Sequence, residues 1–353
     1  MEQIVELIKT RDNFVIAGHT GPDGDTIGSC LGLAMALGKL GKKAVVVLEP
    51  YAAKYRVIPG RKYLYHGALE ALSCDVFIAM DCADAERLGA SKAVFDRAQT
   101  TVCIDHHETN TGFAQYNFID PTASSTAEMV FGIIEAITDV DADIATAIYS
   151  GIVGDSGGFR YSSTGRSTME VAAKLMETGI PFTDIYSEML HRHSFEAAKA
   201  FGLALEAARL ACDGRIVYTH MTREMLESVG ADSSDMDSVV EYLMNTRGAE
   251  VALFLYERHQ AVKDGGMMTI DLPPSDNVDA NDGALPGAAQ HQRKIKVSMR
   301  SRGLHVGQVA ASLGGGGHRM AAGCTMVGTI DDVLRQVLEI FERELGAEAH
   351  ADT

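Results

Sequence analysis

The stretch TTVCIDHHETN, residues 100–110, decides the fold because a short apolar run ends there on an aspartate and two histidines. The apolar part, TTVCI, has the length of a buried strand. Asp105, His106 and His107 follow at once, where the predicted strand ends. Polar side chains in that position are typical of the ligand-binding edge of a parallel α/β sheet, which predicts that architecture for the surrounding chain.

Strand-like and helix-like segments alternate on both sides of this stretch. The predicted strands are NFVIAGH (13–19), KAVVVLE (43–49), CDVFIAMD (74–81) and TTVCID (100–105). The predicted helices are DTIGSCLGLAMALGKLG (25–41), STAEMVFGIIEAI (125–137) and DIATAIYSGIVGD (143–155). Because strands that alternate with helices form parallel sheets, residues 1–185 are predicted to be an α/β domain.

The pattern changes after Pro181, and residues 186–214 are predicted to be a helical linker. A smaller α+β domain is predicted for residues 215–348. Its predicted strands are RIVYTHM (215–221), EVALFLYE (250–257), RKIKVSMRS (293–301) and GCTMV (323–327), and its helices lie near 234–245, 305–313 and 329–345. The segment 271–292 lacks periodicity and is interpreted as an inserted loop, either a dispensable excursion or a lid.

Composition limits the classes of function. The chain has 353 residues, which favours two domains, and 46% of them are hydrophobic, which suffices for a sizeable core. The formal net charge of −17 argues against long duplex nucleic acid as a partner. No apolar run has the length of a membrane span, and the N-terminal segment lacks the features of a signal peptide, so we expect a cytoplasmic protein without a membrane partner. The six scattered cysteines are expected to be buried rather than paired in disulfides.

Acids and histidines are concentrated at four places in the first domain, three of which directly follow a predicted strand. These places are His19 with Asp23 and Asp25, then Asp81, then Asp105 with His106 and His107, and finally Asp155. Because parallel strands present their carboxyl ends at one edge of the sheet, we expect these side chains to meet in one crevice.

Imidazole and carboxylate together are suitable ligands for two divalent cations, and an octahedral set of oxygen and nitrogen ligands favours manganese. Two closely spaced metals need a shared ligand, and Asp81 is expected to bridge them because it stands by itself at a strand end. Asp23 and Asp25 are one residue apart in a tight turn, so each carboxylate can point to a different metal. An alternative for Asp25 is that it caps the helix that follows.

Longer motifs add a resemblance to a known family. The segments HTGPDGDTIGS, DCADAERLG, IDHHETNTGF, FIDPTASSTAEM and GIVGDSGGFRYS resemble the successive motifs of the DHH phosphoesterases. VSMRS and GGGGHRMAAG resemble those of the DHH-associated C-terminal domain. The similarity covers residues 14–345, and length and domain order are most similar to the bacterial nanoRNase/pAp phosphatase group of bifunctional oligoribonucleases. Ser156 departs from the threonine that this group commonly has, and the segment 271–292 is a larger departure.

The resemblance implies a role for each residue of the constellation. His19, Asp23 and Asp81 would hold one Mn²⁺, while Asp25, Asp81, His106 and Asp155 would hold the other. Asp105 would orient a ligand imidazole, and His107 would face the scissile phosphate or its leaving oxygen, so both are assigned to catalysis. The active site would lie in the cleft between the two domains.

The second domain is expected to bind the substrate. Successive glycines in GGGGHRMAAG can expose backbone N–H groups as an anion-binding loop, and arginine can bind phosphate through two hydrogen bonds. A flexible glycine turn is the alternative that the loop would favour if it stood alone. Together with VSMRS, the substrate-binding residues are predicted to be Arg300, Ser301, Gly315, Gly316, Gly317 and His318.

We therefore expect a metal-dependent hydrolase of phosphoric esters, of the exoribonuclease or nucleotide phosphatase type. Its substrates would be short oligoribonucleotides, 3′-phosphoadenosine 5′-phosphate, or both, cleaved by a water that two metals activate. One alternative is a phosphodiesterase for cyclic dinucleotides or their linear products. An alternative of another class is a non-catalytic nucleotide sensor, against which the complete set of candidate ligands argues. The sequence leaves open whether the protein is a homodimer.

Overall fold

A computed structural model describes residues 1–231, 236, 238–257, 293–317 and 319–351. The chain forms two compact units, Met1–Arg192 and His193–Thr353. The segment 271–292 and His318, for which the sequence predicts an insertion and a substrate contact, lie outside the described residues.

The first unit is built on a parallel sheet. Its strands are β1 (Phe14–Ala17), β2 (Ala44–Val47), β3 (Val76–Met80), β4 (Thr100–Asp105) and β5 (Tyr116–Ile119), in the order β2-β1-β3-β4-β5. Every neighbouring pair is parallel. Its helices are α1 (Glu2–Thr10), α2 (Gly24–Lys39), α3 (Lys92–Phe95), α4 (Thr126–Glu135), α5 (Ala142–Asp155), α6 (Arg166–Glu177) and α7 (Phe182–Leu190). The structure confirms the predicted parallel α/β sheet. The edge strand β5 was not predicted, because it is only half-buried and lacks an apolar run.

Close contact between α2 and α5 brings two distant segments to the same place. A side chain at Gly28 of α2 would overlap the carbonyl oxygen of Ala147 in α5. At Gly32, one turn further on, an added Cβ would lie 2.7 Å from Ile148 Cδ1. The N-terminus of α2 therefore lies beside the C-terminus of α5, where Asp155 is the last residue.

The second unit contains a mixed sheet. Its strands are β6 (Arg209–Ala211), β7 (Ile216–Met221), β8 (Val251–Glu257), β9 (Lys294–Ser301), β10 (Gly316–Gly317) and β11 (Ala321–Val327), in the order β10-β11-β9-β8-β7-β6. Only β7 and β8 are parallel among these described strands. The helices are α8 (Phe195–Glu206), α9 (Arg223–Val229), α10 (Val239–Leu243), α11 (Val306–Ser312) and α12 (Ile330–Ala351). This arrangement confirms the predicted α+β class.

Two apolar clusters cover the faces of this second sheet. One includes the buried residues of α11 and α12, and the other those of α8, α9 and α10. Ala200 and Ala204 of α8 are fully buried in the second cluster, and the hydroxyl of Thr219 in β7 donates to the carbonyl of Ala204. Residues 186–214 thus contain the end of α7 in the first unit and then α8 and β6 in the second.

The described part of the chain contains no helix long and apolar enough to cross a membrane. All six cysteines are free, and five of them are buried. Five cysteines therefore contribute to the packing of the two units, as predicted, whereas Cys212 is only partly buried.

Candidate metal centre

The polar residues that follow β1, β3 and β4 meet at one edge of the first sheet, because parallel strands end on the same side. Asp81 comes directly after β3, and Asp105 is the last residue of β4. Asp81 has a φ of 57°, in the left-handed region, and its N–H donates to the carbonyl of Ile104 at 2.9 Å. A non-glycine residue in that region is strained, and such strain is often found at functional sites.

The loop between β1 and α2 supplies the next group of side chains. Asp23 is the N-cap of α2, and its Oδ1 accepts from the backbone N–H groups of Asp25 and Thr26, both at 3.0 Å. The other oxygen of Asp23 lies 3.6 Å from Nε2 of His19. The suggestion that Asp25 caps α2 is wrong, because Asp23 occupies that position and Asp25 lies in the first turn.

The two carboxylate oxygens of Asp81 point to different groups of side chains. Oδ2 lies 3.5 Å from His19 Nε2, whereas Oδ1 lies 3.7 Å from His106 Nε2 and 3.6 Å from His107 Nδ1. The hydroxyls of Thr26 and Thr126 donate to Oδ2 at 2.6 Å and to Oδ1 at 3.2 Å. Asp81 is buried, and these contacts hold its carboxylate between His19 and His106, while its role as a shared ligand stays a prediction.

Three groups of candidate ligands result. Two of them, here called triads, contain the six predicted ligands, and the third joins Asp81 and His106 to His107. Among the described residues, one potential ligand atom each from His19, Asp23 and Asp81 lies within 4.8 Å of the others, and the same holds for Asp25, His106 and Asp155. His106 Nε2 is 3.1 Å from Asp155 Oδ2. The structure thus brings all six predicted ligands together, although the assignment of each to a metal stays a prediction.

Asp25 is fully buried, and both of its oxygens accept backbone hydrogen bonds. Oδ2 accepts from Thr126 N at 2.7 Å, and Oδ1 accepts from Ala127 N at 2.8 Å. Burial raises the pKa of Asp25 well above its usual value, and the nearby charges of Asp81 and Asp155 raise it further. Such a crowded set of carboxylates is costly unless cations neutralise it, so the donor set fits divalent metals.

The histidines show the same need for positive charge. Burial opposes protonation of His19, but its contacts with the carboxylates of Asp23 and Asp81 outweigh it and raise its pKa to about 10. Burial likewise opposes protonation of His106, whose pKa is nevertheless raised to about 10, mainly by its contact with Asp155. Without a metal, protons therefore supply part of the compensating charge. A bound cation would replace those protons, since a ligand imidazole must be neutral.

Asp105 does not orient the predicted ligand His106. Its Oδ1 lies 2.7 Å from His107 Nδ1, and its Oδ2 accepts from Asn110 Nδ2 at 2.6 Å. His106 instead has its Nδ1 3.4 Å from the carbonyl oxygen of Ala123. Burial opposes protonation of His107, but the hydrogen bond to Asp105 outweighs it and raises the pKa. The fully buried Asp105 therefore orients the histidine that is predicted to face the substrate.

Sequence reasoning missed the residues that support the cluster, because each is an ordinary polar residue beside a more conspicuous one. Thr26 follows Asp25, and Asn110 ends the stretch that begins with Asp105. Thr126 begins α4 and could be read as part of a helix cap. Thr26 and Asn110 lie near candidate ligands in the sequence, whereas Thr126 lies far from all of them and gave no such signal.

The predicted substrate residues of the second unit have partners within that unit. Arg300 donates through a terminal nitrogen to Glu241 Oε1 at 2.7 Å. The two side chains are 29% and 33% exposed. The hydroxyl of Ser301 donates to the carbonyl oxygen of Leu304. Contact with a substrate phosphate would therefore compete with Glu241 for the guanidinium of Arg300.

Pairing with β11 requires glycine at two positions of the loop 315–317. A side chain at Gly315 would overlap the carbonyl oxygen of Gly323 in β11, and one at Gly317 would lie 2.5 Å from Ala322 Cα. The N–H of Gly315 donates to the carbonyl of Ala310 at 2.8 Å, which ends α11. Gly316 is exposed, and an added Cβ there would contact nothing within 4 Å. A role of Gly315, Gly316 and Gly317 in anion binding stays a prediction.

Comparison with known proteins gives a consistent result over almost the whole chain. The DHH family, N-terminal domain, matches residues 13–152, and the DHHA1 domain matches residues 213–347. The bifunctional oligoribonuclease and PAP phosphatase NrnA of Thermus thermophilus is 31% identical over 98% of this chain and 94% of its own. The cyclic-di-AMP phosphodiesterase PdeA of Listeria monocytogenes is 30% identical over 200 residues, which are 50% of this chain and 30% of that protein. The crystal structure of an exopolyphosphatase-related protein from Bacteroides fragilis aligns with a TM-score of 0.80 and 25% identity, covering 97% and 96% of the two chains.

The class of protein that this fold and this cluster define is a phosphoesterase, a hydrolase of phosphoric ester bonds that depends on divalent metals. The chain belongs to the DHH family and carries its N-terminal domain together with the DHHA1 domain.

Proposed function

We propose that this protein hydrolyses short oligoribonucleotides and 3′-phosphoadenosine 5′-phosphate at the cluster around Asp81. The observation that carries the proposal is the divided geometry of Asp81, whose Oδ2 faces His19 and whose Oδ1 faces His106, a member of the other triad. Support for the substrates comes from the similarity to NrnA, which is named for both activities and aligns over 98% of this chain. Both substrates present a phosphate beside a ribonucleoside, so one site can accept both.

Bound divalent ions, for which we propose Mn²⁺, would neutralise the charge of the phosphate and make water a better nucleophile at neutral pH. The protein's own part is to hold four carboxylates and two imidazoles in place through buried hydrogen bonds. His107, oriented by Asp105 at 2.7 Å, is proposed to donate a hydrogen bond or a proton to the leaving oxygen. Arg300 is proposed to bind a terminal phosphate of the substrate.

A cyclic dinucleotide or its linear product is the second candidate substrate. It is favoured by the similarity to PdeA, a cyclic-di-AMP phosphodiesterase, although that similarity covers only half of this chain. A protein that binds nucleotides without cleaving them is the remaining candidate.

The experiment is a substrate panel. Purified protein is incubated with Mn²⁺ and with a ribodinucleotide, a five-unit RNA, 3′-phosphoadenosine 5′-phosphate, a cyclic dinucleotide or pyrophosphate, and products are separated by chromatography. We expect nucleoside monophosphates from the RNA substrates and phosphate release from 3′-phosphoadenosine 5′-phosphate. Faster cleavage of the cyclic dinucleotide would replace the first candidate with the second. Binding without cleavage of any compound would leave the non-catalytic sensor.

Three other expectations remain proposals. They concern the cytoplasmic location, the exclusion of long duplex nucleic acid and the position of the active site between the two domains. Cell fractionation tests the cytoplasmic location. A 20-base-pair duplex added to the same panel tests the exclusion of long duplex nucleic acid. The oligomeric state is open and is measured by light scattering of the purified protein.

A further inference from the structure

One turn of the first unit touches three of the candidate ligands. Residues 123–127, here called the α4 entry turn, lie just before and at the start of α4. The N–H groups of Thr126 and Ala127 donate to Asp25, at 2.7 and 2.8 Å. The hydroxyl of Thr126 donates to Asp81 Oδ1 at 3.2 Å, and the carbonyl oxygen of Ala123 lies 3.4 Å from His106 Nδ1.

The contacts of this turn are distributed unequally between the two triads. Asp25 and His106 belong to the triad with Asp155, and Oδ1 of Asp81 is the oxygen that faces His106. The other triad is supported elsewhere. His19 has its Nδ1 2.9 Å from the carbonyl oxygen of Thr20, and Asp23 is held by the start of α2. Displacement of the α4 entry turn would therefore disturb one triad far more than the other.

Glu128 holds the α4 entry turn in place. Its side chain folds back so that Oε2 accepts from Ser124 N at 3.1 Å and from Ser124 Oγ at 2.6 Å. The same oxygen accepts from the hydroxyl of Thr168 in α6 at 2.9 Å. Glu128 is only 9% exposed, and hydrogen bonds to a buried carboxylate are stronger than those between neutral groups.

The start of α4 does not itself require this carboxylate. Ser125 is the N-cap of α4, and its hydroxyl accepts from the N–H of Glu128 at 3.1 Å. A buried carboxylate at this position costs desolvation energy, which three converging donors offset. The link that Glu128 adds is between the turn and Thr168, whose hydroxyl in turn accepts from Gly165 N at the start of α6. Its structural effect is therefore to fix the turn against a second helix.

We propose that Glu128 is a positioning residue for metal binding, which it supports selectively at the triad of Asp25, His106 and Asp155. It touches no candidate ligand itself and acts through the backbone and side chains of the α4 entry turn. The proposal rests on the metal site of the proposed function and adds the residue that sets the geometry of one half of it. Outer residues that orient metal ligands commonly change metal affinity by about 10- to 100-fold.

The test measures metal binding by the metal-free protein. Mn²⁺ is titrated into the wild type, Glu128→Gln and Thr168→Val while free Mn²⁺ is followed by electron paramagnetic resonance. We expect two ions per wild-type chain. In Glu128→Gln one of the two should bind at least about 10-fold more weakly while the affinity for the other stays within about 3-fold. Thr168→Val removes one donor and keeps the carboxylate, so its effect should be smaller and in the same direction.

The matched control is Glu135→Gln, at the other end of α4. Glu135 also connects α4 to α6, through Lys174 at 2.9 Å, but on the exposed surface and away from the candidate ligands. Its variant should bind both ions as the wild type does. Thermal unfolding of each metal-free variant is recorded beside the titration, so that a loss of fold is distinguished from a loss of one site.

Three outcomes would overturn the proposal. Unchanged binding of both ions in Glu128→Gln and Thr168→Val would show that the turn keeps its position without the carboxylate. Equal weakening of both ions would show a general structural role. If Glu128→Gln fails to fold, Thr168→Val decides. If both Mn²⁺ ions are weakened equally in Thr168→Val, relative to the wild type, the selective effect is rejected. A wild-type chain that binds no Mn²⁺ would instead reject the metal site of the proposed function.

Discussion

At the scale of the residue, the cluster depends on carboxylates whose two oxygens have different partners. Asp23 caps α2 with Oδ1 and faces His19 with Oδ2, while Asp81 directs Oδ2 to His19 and Oδ1 to His106. Asp105 similarly joins His107 to Asn110. Because both oxygens of each carboxylate are engaged, the loss of one of these residues removes more than one contact.

Asp81→Asn tests the shared position. The amide keeps the size of the side chain but removes the negative charge, so we expect at most one Mn²⁺ per chain. Activity should fall by at least about 100-fold, the upper range for residues that merely orient a ligand. Metal content is measured by elemental analysis after dialysis. Asp75→Asn, just before the start of β3, is the control. Two tightly held ions in Asp81→Asn would contradict the bridging role.

At the scale of the element, the site is built where helix ends meet strand ends. The N-termini of α2 and α4 and the C-terminus of α5 come together because α2 and α5 approach closely at their glycines. Helix N-termini stabilise negative charge, which explains how carboxylates such as Asp25 tolerate complete burial there. Changes far from the ligands but within these contacts should therefore affect metal binding.

Gly28→Ala tests the contact between α2 and α5. The new methyl group would overlap the carbonyl oxygen of Ala147, so the helices must separate. We expect a loss of about 1–3 kcal/mol in the free energy of unfolding, measured in urea, and weaker Mn²⁺ binding. The control is Gly132→Ala in α4, where the added Cβ would come no closer than 3.6 Å to Met1 Sδ. That variant should gain about 0.5–1 kcal/mol. Equal effects of the two substitutions would exclude the packing explanation.

The pH dependence of stability can be tested at the start of α5. Asp141 caps this helix, accepting from Ile144 N at 3.0 Å, and also pairs with Lys39 at 3.1 Å. Burial alone would raise the pKa of Asp141, but the hydrogen bond from Ile144 and the contact with Lys39 outweigh it and lower the pKa below 3.8. The charged form therefore stabilises the folded state. This contribution is complete above the unfolded pKa and is lost as the pH falls through the folded value.

Asp141→Ala should consequently lose about 1 kcal/mol of unfolding free energy at neutral pH. The difference from the wild type should shrink once the pH falls below 3.8, the ordinary value for this carboxyl group. Asp141→Asn keeps a capping oxygen without the charge. Its unfolding free energy at neutral pH should therefore lie between those of the wild type and Asp141→Ala. The measurement is urea unfolding of the metal-free proteins across the acid range. A difference that grows on acidification would reverse the assigned sign.

At the scale of the whole molecule, the candidate residues are divided between the two units. The candidate ligands all lie in the first unit, whereas Arg300 and the glycine loop lie in the second. Each unit has its own sheet and its own apolar clusters. Such a division predicts that metal binding and substrate affinity can be changed independently.

Arg300→Ala tests this division. If the guanidinium binds a phosphate of the substrate, KM should rise by about 10-fold or more, because a charge-assisted hydrogen bond is lost. The Mn²⁺ content should remain at the wild-type value. Arg209→Ala, on the edge strand β6 of the same sheet, is the control and should leave KM unchanged. A metal lost from Arg300→Ala, or an unchanged KM, would contradict the division.

The sequence by itself determined the class of both units and the set of candidate ligands. Apolar runs that end on Asp81 and Asp105 predict buried strands. Because parallel strands end on the same side of a sheet, these two aspartates are expected to lie close together. The edge strand β5 and the short strand β6 were missed, because half-buried edge strands need no continuous apolar run.

Only the tertiary structure decided how the ligands are held. Asp23 rather than Asp25 caps α2, Asp105 supports His107 rather than His106, and Glu128 reaches Thr168, which lies 40 residues away. The contact of Glu128 with Thr168 joins segments that are distant in the chain, whereas the other two are choices between neighbouring residues, and any Asp, Thr or Glu could form such hydrogen bonds. Periodicity and spacing record which face of an element is buried, but they carry no information about which polar partner the fold brings within 3 Å.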